Sequence, residues 1–319
     1  MRVFVCEFVT GGGLAGAALP ASLVAEAALM RDAMRADLAA APEVGAVLLA
    51  ADARLPLPGA RLIEAADDPW AVWADLARQA DVVWPVAPET GGLLGRLVRQ
   101  LRDAAEGVGA RVVAATSQAI EITASKLETA RCLSAAGLPH IPTFPLAAAP
   151  HWPGPRVTKP DDGAGCEDTR LWPAGAPLPA AQADGRLVAQ PFVDGIPASL
   201  TVLTRAGRTR VLTVNRQHIR VDEGRITLAG LTVGALQDTD GRLSRLAAAV
   251  AAAIDGLDGL FGIDILLTPD GPVVVEVNPR LTTAYAGLGR ALGLNPARLA
   301  LGLDETQPGP ARPVEIALP

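Results

Sequence analysis

Residues Phe261–Arg280 constrain the fold more tightly than any other stretch of this chain. Thr268-Pro269-Asp270-Gly271 is a strong turn signal between two runs that are almost wholly aliphatic, which predicts an antiparallel hairpin. A turn centred on Asp270 sets Asp264 directly opposite Glu276, and Asn278 shares their face two residues further on. Like charges facing each other cost stability, and burying them between apolar strands costs more unless a cation or hydrogen-bond partner compensates. Two carboxylates and an amide oxygen are hard ligands of the kind magnesium accepts beside phosphates. Arg280, just beyond, has the planar fork that grips an oxyanion with two bonds. The alternative is an edge strand with both acids facing water, and a one-residue slip in register would produce it.

The second feature is a scarcity. Of 28 lysines and arginines only Lys126 and Lys159 are lysines, so each is expected where a compact ammonium is needed and a guanidinium does not fit. Lys126 begins a helical pattern in Ser125-Lys126-Leu127-Glu128. Lys159 ends a strand that runs through Pro160-Asp161-Asp162 into a loop with Gly163, Ala164 and Gly165. Both settings suit a phosphate; the plainer reading is two surface lysines left by chance.

Around these features the chain changes character once. Apolar strands at residues 2–9, Val44–Ala50, Arg61–Glu64, Asp81–Ala87 and Arg111–Ala115 alternate with helical patterns at about Pro20–Ala40, after Asp68, and at Glu89–Glu106. Such alternation predicts a parallel sheet with helices on its faces. From Ser117 a helical pair runs to Ala136 and Gly137. Short, locally pairing strands follow, with one strong helix at Arg242–Leu257, and the Pro-rich tail after Gln307 reads as loosely packed. The expected fold class is α/β plus α+β: a parallel-sheet domain over residues 1–116, a lid over 117–195 and a C-terminal unit over 196–319 that holds the hairpin.

A net charge of −6 argues against a nucleic-acid partner, which demands a basic face. No apolar run of about 18 residues predicts a membrane span, and Glu7 inside the first apolar run argues against a signal peptide. Cys6, Cys132 and Cys166 show no CxxC spacing, and His140, His151 and His218 do not complete a zinc set, so a reducing cytoplasm is expected.

These segments together resemble the ATP-grasp superfamily of ligases. Ser125-Lys126-Leu127 with Ala136-Gly137-Leu138-Pro139 is similar to its first lysine helix. Val157-Thr158-Lys159-Pro160 with Gly163 and Gly165 is similar to its second lysine and phosphate loop. Gln190-Pro191-Phe192-Val193-Asp194-Gly195 is similar to the hinge that holds adenine, with Gln190 where a Glu is common. Pro197 stands near the place of the usual ribose carboxylate, which leaves Asp194 as the ribose candidate. The resemblance implies ATP and Mg2+ as cofactors, with Asp264, Glu276 and Asn278 as metal ligands and an ATP-grasp fold behind an N-terminal α/β domain.

Within the superfamily, Cys6-Glu7-Phe8-Val9-Thr10-Gly11-Gly12-Gly13, Val86-Ala87-Pro88-Glu89-Thr90, Asn215-Arg216-Gln217 and Val277–Tyr285 resemble the tyramine–glutamate ligase family of methanofuran-type cofactor biosynthesis. That implies an ADP-forming union of an amino acid with an amine, L-glutamate with tyramine or tyrosine, in a protein compatible with a homodimer. Lys159 and Arg280 then stabilise the reacting groups, and Gly11, Gly12, Gly13, Glu89, Asn215 and Tyr285 become substrate candidates. The glycines equally suit a tight strand-to-helix turn, Glu89 a helix cap, and Tyr285 packing under its helix. Three alternatives stay open: another ATP-grasp amino-acid or peptide ligase, a dinucleotide-binding oxidoreductase, since Gly11, Gly13 and Gly16 satisfy G-x-G-x-x-G after a strand, and a non-catalytic nucleotide-binding protein.

Overall fold

Strand β1 (Arg2–Glu7) is buried from Val3 to Glu7, on both faces at once. Its apolar run is therefore continuous and does not alternate, as expected of a parallel strand covered on two sides. After helix α1 (Ala21–Ala39) come β2 (Ala46–Asp52), β3 (Arg61–Ile63), α2 (Pro69–Arg78), β4 (Val82–Val86), α3 (Leu93–Glu106) and β5 (Arg111–Val112). The strands form one all-parallel sheet in the order β3-β2-β1-β4-β5. Asp68 caps α2 by accepting from the Trp70 N–H, with Pro69 at the first helical position. Helix α3 buries Leu94, Leu97, Val98 and Leu101, spaced three and four apart, against the sheet. The structure is a computed structural model that describes residues 1–319 apart from Ala164, Glu167, 180–185 and Pro319.

Next come two short helices, α4 (Ser117–Ala124) and α5 (Lys126–Ala135). They are distinct because Ser125 between them has extended φ/ψ of −104° and 118°, and its hydroxyl accepts from the Glu128 N–H. The second sheet uses β6 (Phe144–Pro145), β7 (Arg156–Pro160), β8 (Arg170–Trp172), β9 (Leu187–Pro191), β10 (Ile196–Arg205), β11 (Arg208–Asp222) and β12 (Arg225–Leu236). Helix α6 (Arg242–Ala253) leads to the hairpin of β13 (Gly259–Thr268) and β14 (Gly271–Asn278), then α7 (Tyr285–Leu292), α8 (Pro296–Leu301) and β15 (Val314–Ala317). Its order is β14-β13-β10-β11-β12-β8-β7-β9-β6, with every pairing antiparallel.

The tail corrects one expectation. It is not loose: β15 pairs with β12 and buries Ile316 against Leu231 and Val233. Strands β11 and β12 also continue beyond their buried segments as a less buried arm, which β8 joins through Arg170↔Arg225.

Candidate active site

The hairpin brings Asp264 opposite Glu276, but not through a turn centred on Asp270. Thr268 pairs with Gly271, so the loop is the two residues Pro269-Asp270, and this register continues to Ile265↔Val274. Left uncorrected it would set Val275 against Asp264 and turn Glu276 to the other face. A bulge at Val275 supplies the extra residue, and the pairs beyond it are Asp264↔Glu276, Ile263↔Val277 and Gly262↔Asn278. The acidic face thus depends on the bulge.

Both lysines arrive at Glu276. Lys126 Nζ stands 3.7 Å from Oε1 and Lys159 Nζ 4.0 Å from Oε2, and their side chains are 6% and 7% exposed. Lys126 is positioned as the first residue of α5, with its ammonium donating to the carbonyls of Gly163 (2.5 Å) and Asp161 (3.3 Å). Asp161 ties the phosphate loop to the same helix: its carbonyl accepts from the Lys126 N–H and its carboxylate from the Leu127 N–H. Asp162 reaches across to the N-terminal domain and accepts from the Gly91 N–H at 2.9 Å. Gly165 has φ of +64°, a left-handed conformation that glycine adopts without strain. Lys159 lies at the end of β7; burial lowers its ammonium below the usual lysine value, against which Glu276 works.

Asp264 is held from both sides by amides. Gln217 Nε2 donates to Oδ1 at 3.0 Å and Asn278 Nδ2 to Oδ2 at 3.3 Å. Burial first, and the Glu276 charge second, push its carboxyl up to about 7. Such an over-acidic pair is relieved by a divalent cation. With two carboxylates and the Asn278 amide oxygen on one face, the donor set fits magnesium.

Arg280 turns toward the N-terminal domain, where its Nη2 donates to Glu89 Oε2 at 2.9 Å in a largely buried ion pair. Glu89 stands at the cap position of the 3-10 turn Thr90–Gly92 but its side chain makes no capping bond there, and α3 begins at Leu93 after the left-handed Gly92. At the hinge Gln190 is buried, and its Nε2 donates to Thr143 Oγ1 at 2.8 Å. Phe192 is 42% exposed, Val193 half-buried and Asp194 exposed.

Five substrate candidates remain. Gly11–Gly13 form a tight turn, where a Cβ at Gly12 (φ +94°) would meet Ile63 at 2.8 Å and one at Gly13 would meet the Phe8 ring at 2.5 Å. Gly12 and Gly13 answer packing, since those side chains fill the space a Cβ would need. Asn215 is fully buried inside the sheet, donating to Ser199 and Thr201 and accepting from the Gly234 N–H beside a break in the β11–β12 register. Tyr285 packs edge-on to Trp84 in the core beside Asp37, and burial raises its phenol far above the ordinary value.

A family profile described as an ATP-grasp domain matches residues 123–284, half of the chain, and one described as a pre ATP-grasp 3 domain matches 45–120. The chain belongs to the ATP-grasp family. Tyramine–L-glutamate ligase from Methanocaldococcus jannaschii is 29% identical over 105 residues, a match spanning 33% of this chain and 32% of that protein. Among solved structures, an ATP-grasp superfamily protein from Archaeoglobus fulgidus superimposes with a TM-score of 0.75 at 20% identity, covering 100% of both chains. L-amino acid ligase from Bacillus licheniformis gives 0.63 at 18% identity over 94% of this chain and 72% of its own. These likenesses establish the ATP-grasp fold preceded by a parallel-sheet domain. No helix among the described residues of this ATP-grasp protein is long and apolar enough to cross a membrane.

Three residues of the site went unremarked in the sequence. Asp161 stood visibly beside the lysine loop, but its role as a cap for α5 is tertiary. Gln217 closes the Asn215-Arg216-Gln217 motif but had no role assigned to it, and Glu26 carries no local signal. Glu26, on α1, accepts from Thr283 Oγ1 at 3.3 Å and faces the same cleft from the N-terminal domain.

Proposed function

We propose that this ATP-grasp protein is an ADP-forming carboxylate–amine ligase that joins the γ-carboxylate of L-glutamate to tyramine or tyrosine, in the biosynthesis of a furan-type cofactor. The observation that carries the reading is the convergence of Lys126 and Lys159 on Glu276, directly across from Asp264. Two buried ammonium groups facing an acid pair form a cleft that a triphosphate and its metal complete from both sides.

Adenine lies along the hinge. The Gln190 amide nitrogen is taken by Thr143, so its Oε1 is the atom that accepts from the adenine amino group. The Phe192 N–H is committed to the Pro155 carbonyl, so base recognition falls to the Phe192 carbonyl and the amides of Val193 and Asp194. Exposed Phe192 and Ile196 give the base an apolar bed. Asp194, exposed at the hinge, is the ribose candidate.

Asp264, Glu276 and Asn278 would hold magnesium, which when bound neutralises charge on the terminal phosphates. Lys126 and Lys159 offset the charge on the transferring phosphoryl group. A substrate carboxylate oxygen attacks the γ-phosphorus, the bond to the ADP oxygen breaks, and an acyl phosphate results. The amine nitrogen then attacks the acyl carbon; the carbon–oxygen bond breaks, phosphate leaves and the nitrogen loses a proton. Arg280, whose Nε has no hydrogen-bond partner among the described residues, would stabilise the oxyanion of the tetrahedral intermediate. No enzyme nucleophile is required.

The partial match to tyramine–L-glutamate ligase supports the choice of substrates. An ADP-release screen of L-glutamate against tyramine, tyrosine and other amines, with mass detection of the conjugate, tests the reading. ADP and a glutamyl amide are expected together. ATP binding without ADP release across the screen would return the chain to the non-catalytic class.

A further inference from the structure

The cations of the cleft already have acidic partners. Lys126 and Lys159 share Glu276, and Arg280 is matched by Glu89. Glu26 is a further carboxylate on the same space. It lies within electrostatic reach of Arg280 and of Cys166 in the phosphate loop, and among the described residues it accepts a single hydrogen bond, from the Thr283 hydroxyl. Burial raises its carboxyl above the ordinary glutamate value, with the Thr283 hydroxyl and the Arg280 charge working against the rise.

A second, independent observation lies next to it. Glu89 is only 5% exposed, yet its Oε1 has no hydrogen-bond partner among the described residues, and neither does Arg280 Nε. Buried polar atoms left in this way mark a missing ligand. The missing partner must offer a donor to Glu89 Oε1 and an acceptor to Arg280 Nε at neighbouring points. A metal ion is disfavoured beside the guanidinium. A molecule carrying both an ammonium and a carboxylate satisfies both.

Resting on the ligase reading above, we propose that Glu26 and Glu89 bind the ammonium group of the amino acid whose carboxylate is activated, while Arg280 holds its carboxylate end. Both acids come from the N-terminal domain, Glu26 from α1 and Glu89 from the loop after β4. That domain then selects an amino acid over a simple dicarboxylate, and the lysine-bearing unit handles phosphate. Sites built around a buried polar contact reject analogues lacking the matching group much more strongly than apolar pockets do.

The test compares L-glutamate with glutarate, which lacks only the amino group, in the ADP-release assay with tyramine. The wild type is expected to favour glutamate by about 100-fold or more in kcat/KM. Glu26→Gln should cut that preference at least about tenfold by raising the KM for glutamate, with glutarate kinetics and the KM for ATP nearly unchanged. Glu26→Asp should recover part of the preference. An unaltered preference in Glu26→Gln overturns this inference and leaves the ligase reading standing. A wild type that releases ADP with neither acid overturns the choice of acid and this inference with it. The KM for ATP reports that the variant is folded.

Discussion

Removing the shared counter-ion of the two lysines should destabilise the protein, whereas removing one of the lysines should not. In the nucleotide-free structure Glu276 faces Lys126 at 3.7 Å and Lys159 at 4.0 Å. At about 4 Å and an effective dielectric of about 20, each contact is worth roughly 4 kcal/mol of attraction before desolvation is counted. Breaking a buried pair by deleting one partner costs about 3–5 kcal/mol, because the other charge stays buried alone. Glu276→Gln leaves two such ammonium groups but relieves Asp264 of a like charge, so a net loss of about 3 kcal/mol is expected. Lys159→Met is different. It removes a group that burial and Lys126 both disfavour as a cation, and Lys126 still neutralises Glu276, so a change within about 1 kcal/mol is expected. Burial also sets a pH signature. The Lys159 ammonium loses its proton more readily folded than unfolded, so wild-type stability should rise with pH between that lowered value and the ordinary 10.5, a gain Lys159→Met lacks. Thermal melts of both variants without nucleotide, and of the double variant, provide the assay. A Glu276→Gln protein as stable as wild type, or a Lys159→Met protein as damaged as Glu276→Gln, would refute the reasoning.

Three further outcomes follow from single sites. Gly12→Ala should cost about 3 kcal/mol of stability, from left-handed strain and the Ile63 contact, while the KM values of the remaining folded enzyme stay put; chemical denaturation and kinetics check it together. Asn215→Ala strands Ser199, Thr201 and the Gly234 N–H inside the sheet and should lower stability by about 2–3 kcal/mol, read by chemical denaturation. Burial lifts Asp37 to about 6, so its charged form opposes folding and stability should fall as pH rises from about 4 through 6. Asp37→Asn should accordingly raise the melting temperature at pH 8 and leave it unchanged at pH 4.

Much of this was legible because the chemistry is concentrated in local runs. The alternation of apolar strands with amphipathic helices announced the parallel sheet, and the rarity of lysine drew attention to Lys126 and Lys159. The hairpin shows where such reading stops. Placing Asp264 opposite Glu276 required a turn centre that the chain does not have, and the pairing arises instead from a bulge at Val275, which no residue type there advertises. The glycine run read as both ligand loop and tight turn, and the choice lay with Ile63 and Phe8, whose positions only the tertiary fold provides. Asn215 does share the sheet face of Asp264, since both pair with Ser199, but its amide is spent on Ser199, Thr201 and the Gly234 N–H; Tyr285 is turned into the core by its helix. Gln217 stood inside the Asn215-Arg216-Gln217 motif, yet only the sheet register shows that it, two residues on from Asn215, reaches Asp264; Glu26 was invisible because it reaches the cleft from a helix distant in sequence from any motif.

A crystal structure with a non-hydrolysable ATP analogue and magnesium tests the central claim most directly. The account predicts a triphosphate between the lysine ammonium groups and the hairpin, with magnesium at about 2.1 Å from oxygens of Asp264, Glu276 and Asn278. Glu276 should swing from the lysines to the metal, lengthening its present 3.7 and 4.0 Å contacts. Nucleotide bound elsewhere, or a metal held without the hairpin while Glu276 keeps both lysines, would contradict it.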